Sequence, residues 1–277
     1  MKSLKHVLDK FYDDFDFDNR LKHDPIEFPH RYKDRKDREV SAFIASCLAY
    51  GRVDLFKPVV ERILTIMGKS PYSFLMNFDV KRQGRLFGFK YRFNESRDIV
   101  CLLFITHRLL ERHASFERAF KAHYNREDQN TGKALAGLVG EMLSIDTAAV
   151  YGKNVHPPGL AQFFPSPAGG SACKRMSLFL RWMIRDRDID FGIWKGIPKS
   201  KLVIPLDTHI ARIGRCLGLT GRKSADWRAA VEITDSLKAF DAEDPLKYDF
   251  ALCHHGISGM CRTGDGRPCE GCILSAF

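Results

Sequence analysis

Two short stretches carry residues whose types and spacing can do chemistry. The first is residues 203–219, VIPLDTHIARIGRCLGL, in which Asp207 stands directly before a short basic helix. An aspartate at this place can cap the helix by accepting hydrogen bonds from its first backbone N–H groups. The same carboxylate can stabilise positive charge that develops on a bound nucleic acid. The residues leave both interpretations open, and the two roles are compatible.

Four cysteines within 20 residues form the second stretch. Their spacing is C-x7-C-x7-C-x2-C, and they are Cys253, Cys261, Cys269 and Cys272. A C-x2-C pair in a loop rich in glycine and proline is typical of a metal site. The four thiolates suit a tetrahedral Zn²⁺ ion or an iron–sulfur cluster, and an empty site is the third alternative. His254 or His255 can take the place of Cys253 as the fourth ligand.

The positive charge of the chain is concentrated around Asp207. The 277 residues carry a formal net charge of +10. Residues 171–228 contain 13 lysines and arginines against five aspartates and no glutamate, a net charge of +8, whereas residues 1–40 carry ten charges of each sign. A cluster of this kind is typical of a surface that binds phosphate, and a solvated basic face without a partner is the alternative.

Helical periodicity runs through the chain and must position these residues. Apolar residues recur at helical spacing in segments such as REVSAFIASCLAY and DIVCLLFITHRLLERH, and no series of segments alternates as strands do. The sequence therefore predicts an all-α protein of about ten helices. No apolar run is long enough for a membrane span, and the first residues lack the apolar segment of a signal peptide, so we expect a cytoplasmic protein.

A turn between two predicted helices opens the basic stretch. Residues 165–182, PSPAGGSACKRMSLFLRW, contain Gly169 and Gly170 and then begin a basic helix. Glycines let the backbone approach a ligand closely, and the free N–H groups of a helix start can bind a phosphate oxygen. The pattern predicts a helix-hairpin-helix at about residues 160–185.

Two motifs resemble those of the helix-hairpin-helix DNA glycosylases, the endonuclease III superfamily. LDTHIAR at residues 206–212 is similar to the aspartate motif of that family, and a bacterial branch shares the whole string Pro-Leu-Asp-Thr-His. GSACK at residues 170–174 is similar to the family hairpin Gly-Val-Gly-Arg-Lys, with Ala172 in place of its second glycine. Lys174 and Asp207 are 33 residues apart, a long separation similar to that of the archaeal 8-oxoguanine glycosylases. The resemblance spans about residues 37–272.

The resemblance implies a fold and a catalytic pair. Two helical subdomains would flank a DNA-binding groove: residues 40–189 as a helical barrel that includes the hairpin, and residues 1–39 with 190–277 as a terminal subdomain that ends in the cysteine-rich loop. Lys174 matches the lysine that lyase-competent members use as nucleophile. Asp207 matches the carboxylate of the same site. Breaking an N-glycosidic bond asks for these residue types, because an amine can capture C1′ and a carboxylate stabilises the positive charge.

The resemblance also implies contacts to DNA and a metal. The residues expected to contact DNA are Gly169, Gly170, Ser171, Arg175, His209, Arg212, and, in an early loop that would push a wedge into the base stack, Tyr50 and Arg52. The aromatic residues expected at the pocket of a flipped base are Trp182, Tyr91 and Trp194, each with a place in the hydrophobic core as the alternative. The cysteine tail resembles the [4Fe–4S] loop of endonuclease III-like enzymes, and the four cysteines named above would hold the cluster, with Zn²⁺ or no metal as the alternatives.

These expectations describe a DNA glycosylase with AP-lyase activity on a damaged base, such as the oxidised purine 8-oxoguanine, through a Schiff base on Lys174. The alternatives are a non-catalytic helix-hairpin-helix DNA-binding protein and a monofunctional glycosylase in which Lys174 only contacts phosphate. Cys173 is a further candidate nucleophile, although no His–Asp support for it is visible. The expected partner is double-stranded DNA with a damaged base or an abasic site, and the expected state is a nucleoid-associated monomer.

Overall fold

The computed structural model describes residues 3–261, 272 and 274. Within these residues the backbone forms α-helices, loops and three short 3₁₀ turns but no β-strand, which confirms the predicted all-α class. The helices are α1 (Leu4–Asp13), α2 (Phe17–Leu21), α3 (Glu27–His30), α4 (Arg35–Leu48), α5 (Val53–Met67), α6 (Pro71–Met76), α7 (Val80–Gln83), α8 (Ser96–His113), α9 (Phe116–Lys121), α10 (Gly132–Leu143), α11 (Ala148–Tyr151), α12 (Pro158–Ala161), α13 (Lys174–Ile184), α14 (Thr208–Cys216), α15 (Trp227–Lys238) and α16 (Asp249–Ile257). Over the same residues, none of these helices is long and apolar enough to cross a membrane.

The chain divides into two compact units. The terminal unit comprises Met1–Lys22, Gln129–Thr131 and Pro167–Phe277. The central unit comprises His23–Asp128 and Gly132–Ser166. The subdomain boundaries and the glycosylase fold that the resemblance implies stay predictions.

Helix α4 lies in the core of the central unit. It begins after Asp34, whose carboxylate caps it by accepting a hydrogen bond from the N–H of Asp37. Phe43 packs against Phe116, the first residue of α9, with 4.4 Å between the ring centroids. Glu39 is buried on α4, and its carboxylate accepts a hydrogen bond of 3.0 Å from the N–H of Phe116. Helices α4 and α9 are therefore joined by an apolar contact and by a buried carboxylate that has a hydrogen-bond donor.

A carboxylate with three basic partners joins α8 and α10 of the central unit. Glu141 accepts hydrogen bonds from Arg112 at 2.7 Å, His113 at 2.8 Å and His123 at 2.9 Å. The imidazole of His123 reaches α10 because residue 137 is Gly137, where a Cβ would lie 2.7 Å from the ring. Burial raises the pKa of Glu141, but the hydrogen bonds outweigh burial and lower the pKa to about 2. The ionised carboxylate therefore stabilises the central unit at neutral pH.

Helices α14 and α16 pack closely in the terminal unit. The contact depends on Gly256 of α16, where a Cβ would lie only 2.6 Å from the Cβ of His209 on α14. The guanidinium of Arg212 lies at this contact, 3.4 Å from the carbonyl oxygen of Gly256 and 3.3 Å from Nδ1 of His209. Any larger residue at position 256 must push the two helices apart, because the clash is with an atom next to the backbone.

Buried ion pairs connect α13 to α16 and to the loop that follows α13. Arg181 donates to Asp249 at 2.5 Å and to Asp190 at 3.2 Å. Arg185, one turn later, donates to Asp190 and Asp244, both at 3.0 Å. Burial raises the pKa of Asp249 to about 6, although Arg181 opposes the rise. Because a buried charge that loses its partner is costly, these pairs fix the relative positions of α13 and α16.

Candidate active site

Asp207 stands at the start of α14 and uses its two carboxylate oxygens differently. Its backbone is extended, with φ −113° and ψ −173°. Oδ1 accepts hydrogen bonds from the N–H groups of His209 and Ile210, both at 2.9 Å. These two bonds confirm the helix cap that the sequence predicts. Oδ2 takes no part in them and faces Lys174 and Cys253.

Lys174 is the first residue of α13 and forms an ion pair with Asp207. Its Nζ lies 3.4 Å from Oδ2 of Asp207. The lysine side chain is 33% exposed, whereas the aspartate side chain is 13% exposed. The site therefore presents an amine that a substrate can approach beside a carboxylate that is largely shielded from water. The fold brings together the two residues that the resemblance pairs.

Cys253 of α16 is the third side chain at Oδ2 of Asp207. Its Sγ lies 3.6 Å from that oxygen, within the range of a hydrogen bond from a thiol. The cysteine spacing in the sequence predicts a metal ligand at this position and gives no sign of the contact, because the two residues are 46 positions apart. The contact exists because α16 packs on α14.

The turn before Lys174 is a tight hairpin. Gly170 has a φ of +75°, in the left-handed region that favours glycine, and a Cβ on Gly169 or Gly170 would meet only open space. The carbonyl oxygen of Gly170 accepts a hydrogen bond of 3.1 Å from the N–H of Trp227, which holds the turn against the start of α15. Both glycines are exposed, so the backbone leaves room for the phosphate contact that the resemblance implies.

Cys173 lies in the core beside Lys174 and not at an accessible surface. The side chain is fully buried, and its Sγ donates to the carbonyl oxygen of Ser171 at 3.2 Å. Burial raises the pKa of the Cys173 thiol to about 12, so the thiol stays protonated at neutral pH. The structure thus argues against the alternative in which Cys173 is the nucleophile.

The other DNA contacts expected in the terminal unit have contacts within the chain. Ser171 accepts a hydrogen bond of 3.2 Å from the N–H of Cys173 and stabilises the turn. Arg212 donates to Sγ of Cys261 at 3.3 Å, in addition to its contacts at the α14–α16 interface. Arg175 and His209 are half-buried. Their contact with DNA stays a prediction.

Part of the positive charge of residues 171–228 is internal. Arg181 and Arg185 are buried, and their charge is used by the aspartates of the ion pairs described above. Lys199 pairs with Asp186 at 2.7 Å. The net charge of +8 already subtracts Asp186 and Asp190. It overstates what this stretch offers to a phosphate because Asp244 and Asp249, which lie outside the stretch, also pair with its two buried arginines.

In the central unit, the early loop that the sequence predicts to enter the base stack lies against a second turn, residues 91–94. The hydroxyl of Tyr50 donates to the carbonyl oxygen of Tyr91 at 3.0 Å. Arg52 is 78% exposed and pairs with Asp54 at 2.7 Å. Tyr91 is only 5% exposed, so it presents no face to a base, which corrects its assignment to the base pocket. The sequence reasoning did not single out Phe93 of the second turn, which is 66% exposed.

Trp182 and Trp194 belong to the core of the terminal unit. The exposed fractions are 0% for Trp182 and 2% for Trp194. Trp194 makes an edge contact with Phe179, with 5.4 Å between the ring centroids. The assignment of both tryptophans to a base pocket is corrected accordingly, because protein side chains cover the faces on which a base would stack. The core alternative is confirmed for both.

The cysteine tail lies only partly within the described residues, and Cys269 is outside them. The Sγ of Cys261 is an acceptor for Arg212, and the Sγ of Cys272 lies 3.8 Å from Nε2 of His255. In the part of the chain that the structure describes, no three His, Cys, Asp or Glu side chains form a group that could hold a metal ion. The described thiols alone therefore do not make a metal site, and the cluster or zinc ion stays a prediction.

Comparison with known proteins places the chain in a family. No curated protein and no solved structure matches it significantly. A family model with the description "Protein of unknown function (DUF2400)" matches residues 24–258. That span includes Lys174, Asp207 and Cys253 and most of both units. The chain therefore belongs to the DUF2400 family.

Proposed function

We propose that the protein is a DNA glycosylase with AP-lyase activity, in which Lys174 is the nucleophile and Asp207 is the carboxylate that assists it. One observation carries the proposal: Nζ of Lys174 lies 3.4 Å from Oδ2 of Asp207, although the two residues are far apart in the sequence. An accessible amine can capture C1′, and a carboxylate beside it can stabilise the positive charge that develops when an N-glycosidic bond breaks.

Each residue has a defined task in the proposed reaction. The neutral form of the Lys174 amine attacks C1′ of the damaged nucleotide, while the carboxylate of Asp207, 3.4 Å from Nζ, stays ionised. The C1′–N bond breaks, and the base leaves with its electron pair and takes up the proton that the nitrogen of Lys174 loses on bonding to C1′. The carboxylate of Asp207 stabilises the positive charge that develops on the sugar. Opening of the sugar ring then leaves C1′ bound to Lys174 as a Schiff base, from which the lyase step proceeds.

The hairpin gives the proposed site its contact with the DNA backbone. Gly169 and Gly170 expose their backbone in the turn that ends three residues before α13, and the first N–H groups of that eleven-residue helix can bind a phosphate oxygen. Lys174 is the first residue of the same helix, so a phosphate bound at the turn would lie close to the amine. The proposed substrate is therefore double-stranded DNA with a damaged base or an abasic site.

A second candidate is a helix-hairpin-helix protein that binds DNA without catalysis. The observation that favours it is the cap: two backbone hydrogen bonds to Oδ1 already account for an aspartate at position 207. A third candidate, a glycosylase without lyase activity, assigns Lys174 only to a phosphate. The three candidates differ in what Lys174 does, and borohydride trapping followed by an assay of base release separates them.

The test is borohydride trapping on duplexes that carry 8-oxoguanine, an abasic site or no lesion. The proposed function predicts a covalent protein–DNA band with a lesion. The band should disappear in Lys174→Gln and persist in Lys223→Gln, which removes an exposed lysine of the same basic stretch. The absence of a band with every duplex, together with salt-dependent binding, refutes the lyase. An assay for free base then separates the monofunctional glycosylase from the binding protein.

A further inference from the structure

The thiol of Cys253 contacts the proposed catalytic carboxylate, yet the reaction above does not use it. We infer that Cys253 is a positioning residue: its thiol donates to Oδ2 of Asp207 and holds the carboxylate in the orientation that faces Lys174. The inference rests on the proposed function. It gives Cys253 a different task from the metal ligand that the cysteine spacing predicts.

The two oxygens of Asp207 are held from different directions. The cap fixes Oδ1 against the first turn of α14 at 2.9 Å. Oδ2 has the amine of Lys174 at 3.4 Å, from α13, and the thiol of Cys253 at 3.6 Å, from α16. When a substrate draws the amine toward C1′, the ion pair lengthens and the thiol remains as a side-chain contact of Oδ2. The carboxylate then keeps its place at the moment when charge develops on the sugar.

Helix α16 is anchored on both sides of Cys253. Asp249, one turn before it, is paired in the core with Arg181 of α13. Gly256, almost one turn after it, lies against the Cβ of His209 of α14. The helices that carry Lys174 and Asp207 are thus the same two that fix the position of Cys253. A thiol so placed is preorganised, which is what a positioning contact requires.

A thiol suits this task because it is a weak donor. It occupies one acceptor direction of Oδ2 without neutralising the carboxylate, so the charge stays available to the sugar. The expected contribution is correspondingly modest. We expect Cys253→Ala to lower kcat about tenfold and to leave KM unchanged, since the lost interaction acts on the reacting state.

The first experiment measures steady-state base release, which gives kcat and KM, together with trapping, for Cys253→Ala and Cys253→Ser. Serine keeps a donor at the same place, so we expect it to restore kcat to within about threefold of the wild type. Cys216→Ser is the matched control, because Cys216 ends α14, about 13 Å along the helix from Asp207. Equal kcat in Cys253→Ala and the wild type overturns the inference. So does a loss of iron or zinc from the purified protein in Cys253→Ser, which would make Cys253 a metal ligand.

The second experiment tests the contact without any activity. The rate at which iodoacetamide alkylates Cys253 is followed by mass spectrometry at pH 8, with Cys216 as the internal reference. A carboxylate beside a thiol disfavours the thiolate, so Asp207→Asn should raise the rate at Cys253 several-fold and leave Cys216 unchanged. An unchanged rate at Cys253 overturns the inference. A raised rate together with no trapping by the wild type shows instead that the contact is real and that the proposed function is wrong.

Discussion

Asp207→Asn separates the proposed catalytic role of Asp207 from its role as a helix cap. The asparagine side chain keeps an oxygen that can accept from the N–H groups of His209 and Ile210, as Oδ1 does now at 2.9 Å. Asparagine and aspartate are about equally good caps, so we expect the free energy of unfolding to change by less than about 0.5 kcal/mol. What the substitution removes is the negative charge that faces Lys174.

The size of the catalytic effect follows from the distance. A charge placed as far from Oδ2 as Nζ of Lys174, 3.4 Å, interacts with it by about 5 kcal/mol at an effective dielectric constant of about 20. Water lowers this value, because the lysine side chain is 33% exposed. A sugar cation at a similar distance therefore loses enough stabilisation in Asp207→Asn to slow base release by about 10²- to 10³-fold.

The assay is single-turnover base release on the duplex that gives the strongest trapping. The matched control is Asp226→Asn, because Asp226 caps α15 with the same extended backbone, φ −117° and ψ −179°, and accepts from the N–H of Ala229 at 2.8 Å. Asp226 also pairs with a cation, Arg222, at 3.1 Å. We expect the control to keep its activity. A rate for Asp207→Asn within threefold of the wild type, at equal thermal stability, would show that Asp207 is a cap only.

Three further predictions concern the scaffold. Glu141→Gln should reduce the loss of thermal stability at acid pH. Because the pKa of Glu141 is lowered to about 2, its carboxylate contributes about 3 kcal/mol above pH 4.5, and this contribution is lost as pH falls toward 2. A pH dependence of Tm that is the same in the variant and the wild type contradicts this. Asp249→Asn should cost about 1.5–3 kcal/mol in urea unfolding, since it leaves the buried Arg181 with only one of its two carboxylate partners, and a cost below about 1 kcal/mol rules out this role. Gly256→Ala should destabilise the chain by about 1–3 kcal/mol through the clash with His209, whereas Gly140→Ala, where a Cβ meets nothing within 4 Å, should stabilise it. Equal effects of the two glycine variants, measured as shifts of Tm, would refute the close approach of α14 and α16.

Local patterns in the sequence predicted local features well. The aspartate before a short apolar repeat predicted the cap at Asp207, and helical periodicity predicted the all-α class. Both depend on contacts within a few residues. The prediction of a base pocket from Trp182 and Trp194 was wrong because aromatic residues look alike in a sequence whether the fold covers them or exposes them. Burial depends on distant segments, so composition cannot decide it.

The sequence by itself determined the residue types of the site, the start of α14 at Asp207 and the helical class, because each rests on short-range hydrogen bonds and periodicity. Only the tertiary structure decided the ion pair of Lys174 with Asp207 and the contact of Cys253 with the same oxygen. It also decided that part of the basic charge is internal. These features depend on the packing of α13, α14 and α16. A buried ion pair and the absence of a Cβ at residue 256 fix this packing, although the helices are far apart in the chain. The spacing of residues in the sequence does not predict such contacts, because the free energy that selects them comes from the packing of the whole core.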